Sequence, residues 1–195
     1  MNDLMHDVKL QIHTCGRDYS LMTHDNYGYD PTPYSVLVRL ADSGLIGPED
    51  VLVDFGCGRG RVGFYMHSRT GCRTIGVDCS SKRIAEAEKN LQHYGNKGNI
   101  SFVQANAEQY DPREANCFYF FNPFSPLVFR KVLDNISRAR QETGKDMRIF
   151  FYYTSHEYRA YFLHEERLEQ IDRIECTDAK RWDRTVYQIL VFSVR

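Results

Sequence analysis

An apolar run ending in an acid, then three alternate glycines, occupies Val51-Leu-Val-Asp-Phe-Gly-Cys-Gly-Arg-Gly60. The run has the composition of a parallel strand buried on both faces. Gly56, Gly58 and Gly60 suit a tight turn into a helix, where a ligand can approach bare backbone at the strand's carboxyl end. A second apolar run, Thr74-Ile-Gly-Val-Asp78, ends in another carboxylate twenty-two residues after Gly56. A carboxylate at that point is placed to accept hydrogen bonds from ribose hydroxyls. Asp54, the glycines and Asp78 together predict a nucleoside-containing ligand lying across the first two strands.

The glycine spacing separates ligand classes. The dinucleotide pattern G-x-G-x-x-G needs a third glycine for close helix packing. Counted from Gly56 that position is Arg61, and the glycine stands at 60 instead. The pattern D-x-G-x-G-x-G resembles motif I of the class I S-adenosylmethionine (SAM)-dependent methyltransferases, and the resemblance covers about residues 35–195. It implies SAM as cofactor and S-adenosylhomocysteine (SAH) as product. It implies that Gly56, Cys57, Gly58 and Gly60 lie under the methionine part of SAM, with Asp54 toward the ammonium group. Asp78 would take the ribose diol, and Cys79 would pack along the ribose edge. After the third strand, Gln104-Ala-Asn-Ala-Glu108 stands where such enzymes commonly carry Asp-Ala. Here Asn106 would offer its amide oxygen to the adenine amino group, and the Ala107 N–H would reach the adenine ring.

The fourth strand ends in Phe120-Phe-Asn-Pro-Phe124. Proline restricts the residue before it to extended geometry, so Asn122 is expected to turn its carbonyl and side-chain oxygen toward the methyl donor, with Pro123 shaping the turn and Phe124 as an aromatic wall. The segment resembles the (Asp/Asn)-Pro-Pro-(Phe/Tyr) motif of methyltransferases that modify planar amino nitrogens, with one proline in place of two. That tilts the expected acceptor toward nitrogen, on a small molecule, a protein or an RNA. Asn122, Tyr27 and Tyr34 are the candidate aligners or proton acceptors. Methyl transfer from an activated sulfonium asks mainly for alignment, worth roughly 7–11 kcal/mol. Residues 19–34, with four tyrosines among turn-forming residues, lack periodicity. They are expected to form a lid, so residues 1–34 are read as an arm outside a SAM-binding domain of residues 35–195. Trp182, in the charged loop Lys180-Arg-Trp-Asp-Arg184, is a candidate for stacking on substrate.

The elements that position these residues follow from the alternation of strand and helix. Apolar and turn patterns predict strands ending at Phe55, Asp78, Ala105, Phe121, Tyr153, Cys176 and Val194. Between them lie helices opened by Ser80 or Ser81, by Ser125 with Pro126, and by Ser155. Only Thr177–Arg184 separates the last two strands. That is too short for a parallel crossover, so the last strand must run antiparallel. The expected fold is α/β: a seven-stranded, mostly parallel sheet with helices on both faces and an antiparallel last strand, Rossmann-like. The chain has 195 residues and a net charge of −1. That length suits about one domain, and the balance of charge argues against a long nucleic acid. There is no 18-residue apolar span and no basic, apolar leader, and the six cysteines form no C-x-x-C pair. A cytoplasmic protein with reduced thiols, no metal site and no membrane association is expected. Two rivals remain: a nicotinamide-dependent oxidoreductase, and a catalytically silent subunit of the same fold.

Overall fold

The computed structural model describes residues 3–20, 27–95, 98–176 and 187–195. The elements are α1 (Asp3–Leu10), α2 (Tyr34–Asp42), β1 (Val51–Phe55), α3 (Arg61–Thr70), β2 (Arg73–Asp78), α4 (Ser81–His93), β3 (Ile100–Gln104), a 3-10 turn (Ala107–Gln109), β4 (Cys117–Phe121), α5 (Pro126–Thr143), β5 (Arg148–Tyr152), α6 (His156–Phe162), β6 (Leu168–Glu175) and β7 (Gln188–Val194). One seven-stranded sheet has the order β3-β2-β1-β4-β5-β7-β6. Strand β7 runs against both its neighbours and every other pair is parallel.

The central strands bury both faces because alternate residues serve two cores. Val53 and Phe55 of β1, Phe118 and Phe120 of β4, and Ile149 and Phe151 of β5 face α5 and α6 through Phe129, Leu133 and Tyr158. Leu52, Tyr119 and Phe150 face α2 and α3 through Leu37, Val62 and Met66. The rings of Phe55, Phe120 and Phe151 stack across three strands at 5.1 and 5.9 Å. Each such side chain removed from water contributes about 1.5–3 kcal/mol. The stack fixes the register under the point where strand order reverses, between β1 and β4. An open sheet leaves its ligand crevice at that point.

Helix ends follow local chemistry. Ser80, Ser125 and Ser155 each accept a hydrogen bond from the backbone of the first turn of α4, α5 and α6. Gly71 and Gly144 close α3 and α5 in the left-handed conformation. The poor alternation of β6 has a structural cause. It is an edge strand, exposed along most of its length, with a bulge between Gln170 and Asp172 that breaks the two-residue period. Three features depart from the sequence expectation. A helix, α1, occupies residues read only as an arm. Strands β3 and β5 each stop one residue earlier than expected, at Gln104 and Tyr152, and β6 stops at Glu175. Asn122 is not extended: its φ is +43°, a conformation asparagine tolerates better than other side chains. Trp182 and the loop around it lie outside the described residues. No helix among the described residues is long and apolar enough to cross a membrane.

Candidate active site

Each glycine of the turn after β1 faces a different part of the protein. Gly56, Gly58 and Gly60 have φ of +78°, +54° and +86°. A methyl group on Gly56 would come 2.7 Å from Pro123 Cβ, and one on Gly60 would come 2.5 Å from Phe102 Cζ. One on Gly58 would run into the Tyr29 ring. The turn therefore needs glycine both for its backbone and for three close approaches. It is tied to β2 by the Gly56 N–H, which donates to the Val77 carbonyl (2.8 Å). Asp78 completes the tie. One carboxylate oxygen accepts from the Gly58 N–H (3.0 Å) and the other from the Ser80 N–H (2.9 Å).

A cleft opens beside this turn, at the carboxyl ends of β1, β2 and β4. Asp54, Gly56, Cys57, Asp78, Cys79, Asn106, Ala107, Pro123, Phe124 and Tyr27 all line it. Gly58 and Gly60 stand behind the lining and shape the turn. Asn122 sits between two lining residues, Phe121 and Pro123, and its side-chain oxygen is buried with no hydrogen-bond partner among the described residues. The Asn106 oxygen caps the 3-10 turn by accepting from the Glu108 N–H (3.1 Å), and its second lone pair can still accept from a ligand. Tyr34 departs from expectation. It begins α2, is buried, and its hydroxyl donates to Asp7 (2.6 Å). It is not among the residues that line the cleft.

The electrostatics centre on Asp54. Its side chain projects from β1 beside Asp78, is 5% exposed, and has no hydrogen-bond or ion-pair partner among the described residues. Burial, with a smaller push from Asp78, drives its pKa up to about 8. Asp78 is also raised by burial, against the pull of its two backbone N–H bonds and of Arg83.

The outer wall comes from the N-terminal segment, which three arginines hold down. Tyr29 pairs with Asp18 in an isolated antiparallel bridge, and its hydroxyl donates to the Thr14 carbonyl (2.6 Å). The Arg59 and Arg83 guanidinium groups stand 5.0 and 4.8 Å from the Tyr29 ring. Arg83 also pairs with Asp18 (2.6 Å) and Glu86 (3.2 Å). Arg61 is 2% exposed and reaches Asp3 (2.8 Å), Thr14 (2.7 Å) and the Thr32 carbonyl (3.1 Å), over the face of Tyr34. Asp18, Tyr29, Arg61 and Arg83 all line the cleft; of these only Tyr29, within the expected lid of residues 19–34, is foreshadowed in the sequence as part of the site. Tyr29 was visible as one of four clustered tyrosines, and Arg61 as the residue displacing a glycine. Nothing local marks the Asp18–Arg83 pair, whose partners are 65 residues apart.

Comparison with known proteins follows this geometry. Residues 52–144, from β1 through α5, match the family described as a methyltransferase domain. The chain is 31% identical over 94 residues to a protein-lysine N-methyltransferase of Saccharolobus islandicus, covering 48% of this chain and 58% of that protein. It is 36% identical over 63 residues to a geranyl diphosphate 2-C-methyltransferase of Saccharopolyspora erythraea, covering 32% and 22%. Among solved structures it resembles an RNA methyltransferase from Salinibacter ruber in complex with SAH. The TM-score is 0.60 at 18% identity, over 85% of this chain and 94% of that one. Residues 52–144 of this chain are a methyltransferase domain by sequence, and the fold is shared with an SAH-bound RNA methyltransferase. The chain spans 58% of the first of these relatives and 22% of the second. The residues of the cleft fit the cofactor of methyltransferase domains, SAM. A buried carboxyl without a cation, Asp54, faces a cleft whose glycine floor and second carboxylate suit an amino acid joined to a nucleoside.

Proposed function

We propose that the protein transfers the methyl group of SAM to an amino nitrogen, and that the acceptor is a lysine side chain of a protein. SAM would supply an activated sulfonium methyl. Asp54 would hold its ammonium group, Asp78 its ribose hydroxyls, and Asn106 with Ala107 its adenine. The N-terminal segment, residues 1–34, would act as a fixed wall of the site through Tyr27 and Tyr29, because Arg59, Arg61 and Arg83 already fasten it.

The observation that carries the acceptor reading is the Asn122 side-chain oxygen, buried beside the cleft with no partner among the described residues. A buried acceptor left unmatched costs about 1–3 kcal/mol, and an N–H of the acceptor would match it. Phe121, Pro123 and Phe124 give that end an apolar lining suited to the methylenes of a lysine stem. The protein-lysine N-methyltransferase likeness agrees. No residue is needed to attack or to bind metal; the protein aligns the nitrogen and excludes water. The test is calorimetry with SAH, followed by incubation of a protein extract with methyl-labelled SAM and mapping of the labelled residues. Label on lysine nitrogens is the expected result. Label confined to RNA or small molecules, with SAH bound normally, would refute the lysine acceptor.

A further inference from the structure

The turns after β4 and β5 share two unusual features. Strand register pairs Phe121 with Tyr152, so Asn122 and Tyr153 stand side by side at the ends of neighbouring parallel strands. Both have positive φ, +43° and +60°, although neither is glycine. A tyrosine rarely holds that conformation unless its surroundings enforce it, and such residues gather at functional sites. Each turn also carries a buried oxygen without a hydrogen-bond partner among the described residues, Asn122 Oδ1 and Thr154 Oγ1. Thr154 is 0% exposed. Folded proteins leave few such groups unmatched, and those they leave call for a ligand, a water or a catalytic role. The β4 turn continues into the cleft lining at Pro123 and Phe124.

We propose that Thr154 and Asn122 together position a primary amine, each oxygen accepting one of its two N–H groups so that the lone pair faces the methyl donor. This rests on the amino-nitrogen reading above and adds a residue and a substrate class to it. The nitrogen lone pair forms the new N–C bond while the C–S bond breaks. Its electron pair goes to sulfur, sulfonium becomes thioether, and the methylated nitrogen gives up a proton to solvent. Neither oxygen touches solvent, which suits a nitrogen that must shed water before it can attack. It also requires the covering chain to part as the amine enters. A monomethylated amine has one N–H left and satisfies only one of the two oxygens, so the first methylation is favoured over the second.

The full chain is tested with poly-L-lysine and methyl-labelled SAM, measuring transfer rate, the ratio of monomethyl to dimethyl product, SAH affinity and melting temperature. Thr154→Val removes the hydroxyl and keeps the shape. The expected variant melts at or above the wild-type temperature, binds SAH unchanged and transfers about tenfold more slowly, the effect of one lost hydrogen bond. It also loses preference for the monomethyl product. Thr154→Ser restores rate and ratio. Wild-type rate and product ratio in Thr154→Val would overturn the proposal while leaving the lysine reading intact. So would a melting temperature several degrees lower, which would make the hydroxyl a structural group. A wild-type protein that binds SAH but leaves poly-L-lysine unmodified would overturn the amine reading itself, and this inference with it.

Discussion

The Tyr29 ring rests on the Cα of Gly58, in a space that any side chain at position 58 would need. The contact joins the N-terminal segment to the glycine turn, and a double-mutant cycle can measure it. Gly58→Ala is expected to cost about 1–3 kcal/mol of stability through overpacking at a positive φ. Tyr29→Ala alone removes a buried aromatic wall. In the double variant the clash is absent, so the losses should fall short of their sum by more than about 0.5 kcal/mol. Urea unfolding of the four proteins checks this, and strict additivity would show that the two residues do not press on each other.

Arg61 should prove structural before anything else. It is buried against Asp3 and Asp7, and Asp7 also accepts from Thr14, Cys15 and Tyr34. Arg61→Met would leave the buried Asp7 without its nearest cation, at an expected cost of about 3–5 kcal/mol. Arg61→Lys should recover little, because one ammonium group cannot span Asp3, Thr14 and the Thr32 carbonyl. Denaturant midpoints of both variants give the answer.

The position of Asp54 makes the ligand-free protein pH-sensitive in a defined direction. Folding raises its pKa from 3.8 to about 8. Folding therefore takes up a proton in that interval. The group's contribution to stability is fully present below about pH 4 and declines as pH rises through about 8. Asp78 is the charge that acts on it, and Asp18, Asp30, Arg61 and Arg83 line the same cleft. Asp54→Asn should flatten this part of the melting-temperature profile and abolish most SAH affinity. An ammonium group bound at Asp54 favours its ionised form, so SAH binding at pH 7 should expel a proton. Calorimetry in buffers of different ionisation enthalpy reads that directly, and an identical heat in all buffers would contradict it.

Asp78 ties the glycine turn to the start of α4 and, on the proposed reading, would also hold the ribose. Asp78→Ala should weaken SAH binding by about 1–3 kcal/mol, and it also releases the Gly58 and Ser80 N–H groups. Asp78→Asn keeps an oxygen for one of them and should lose less affinity. Calorimetric titration of both variants separates the two roles by the gap between them.

How far the sequence reveals this arrangement depends on the distance over which each feature is encoded. The strands, the serine caps and the antiparallel β7 are legible because periodicity, cap chemistry and loop length are local. That Asp54, Gly56 and Asp78 would share one cleft is legible because their spacing places them at the ends of the adjacent strands β1 and β2. The Asp18–Arg83 pair, and the reach of Arg61 to Asp3, join segments with no sequence relation. The first forms only once the segment after α1 lies on α4, the second only once α1 reaches α3. Tyr34 misleads because a tyrosine near a site and a tyrosine tying a buried carboxylate look identical in sequence. Asn122 misleads because the rule for residues before proline is a preference, and here the contact of Pro123 with Gly56 accompanies a different backbone.

Tyr27 and Tyr29 touch two different turns beside the cleft from positions two residues apart. The Tyr27 N–H donates to the Pro123 carbonyl (3.0 Å), while Tyr29 is bridged to Asp18 above the glycine turn. The single residue between them, Gly28, is pressed against Tyr19 and has little slack. A wall this short ties the glycine turn to the turn after β4, so on the proposed reading the donor and acceptor ends of the site would be held at one spacing.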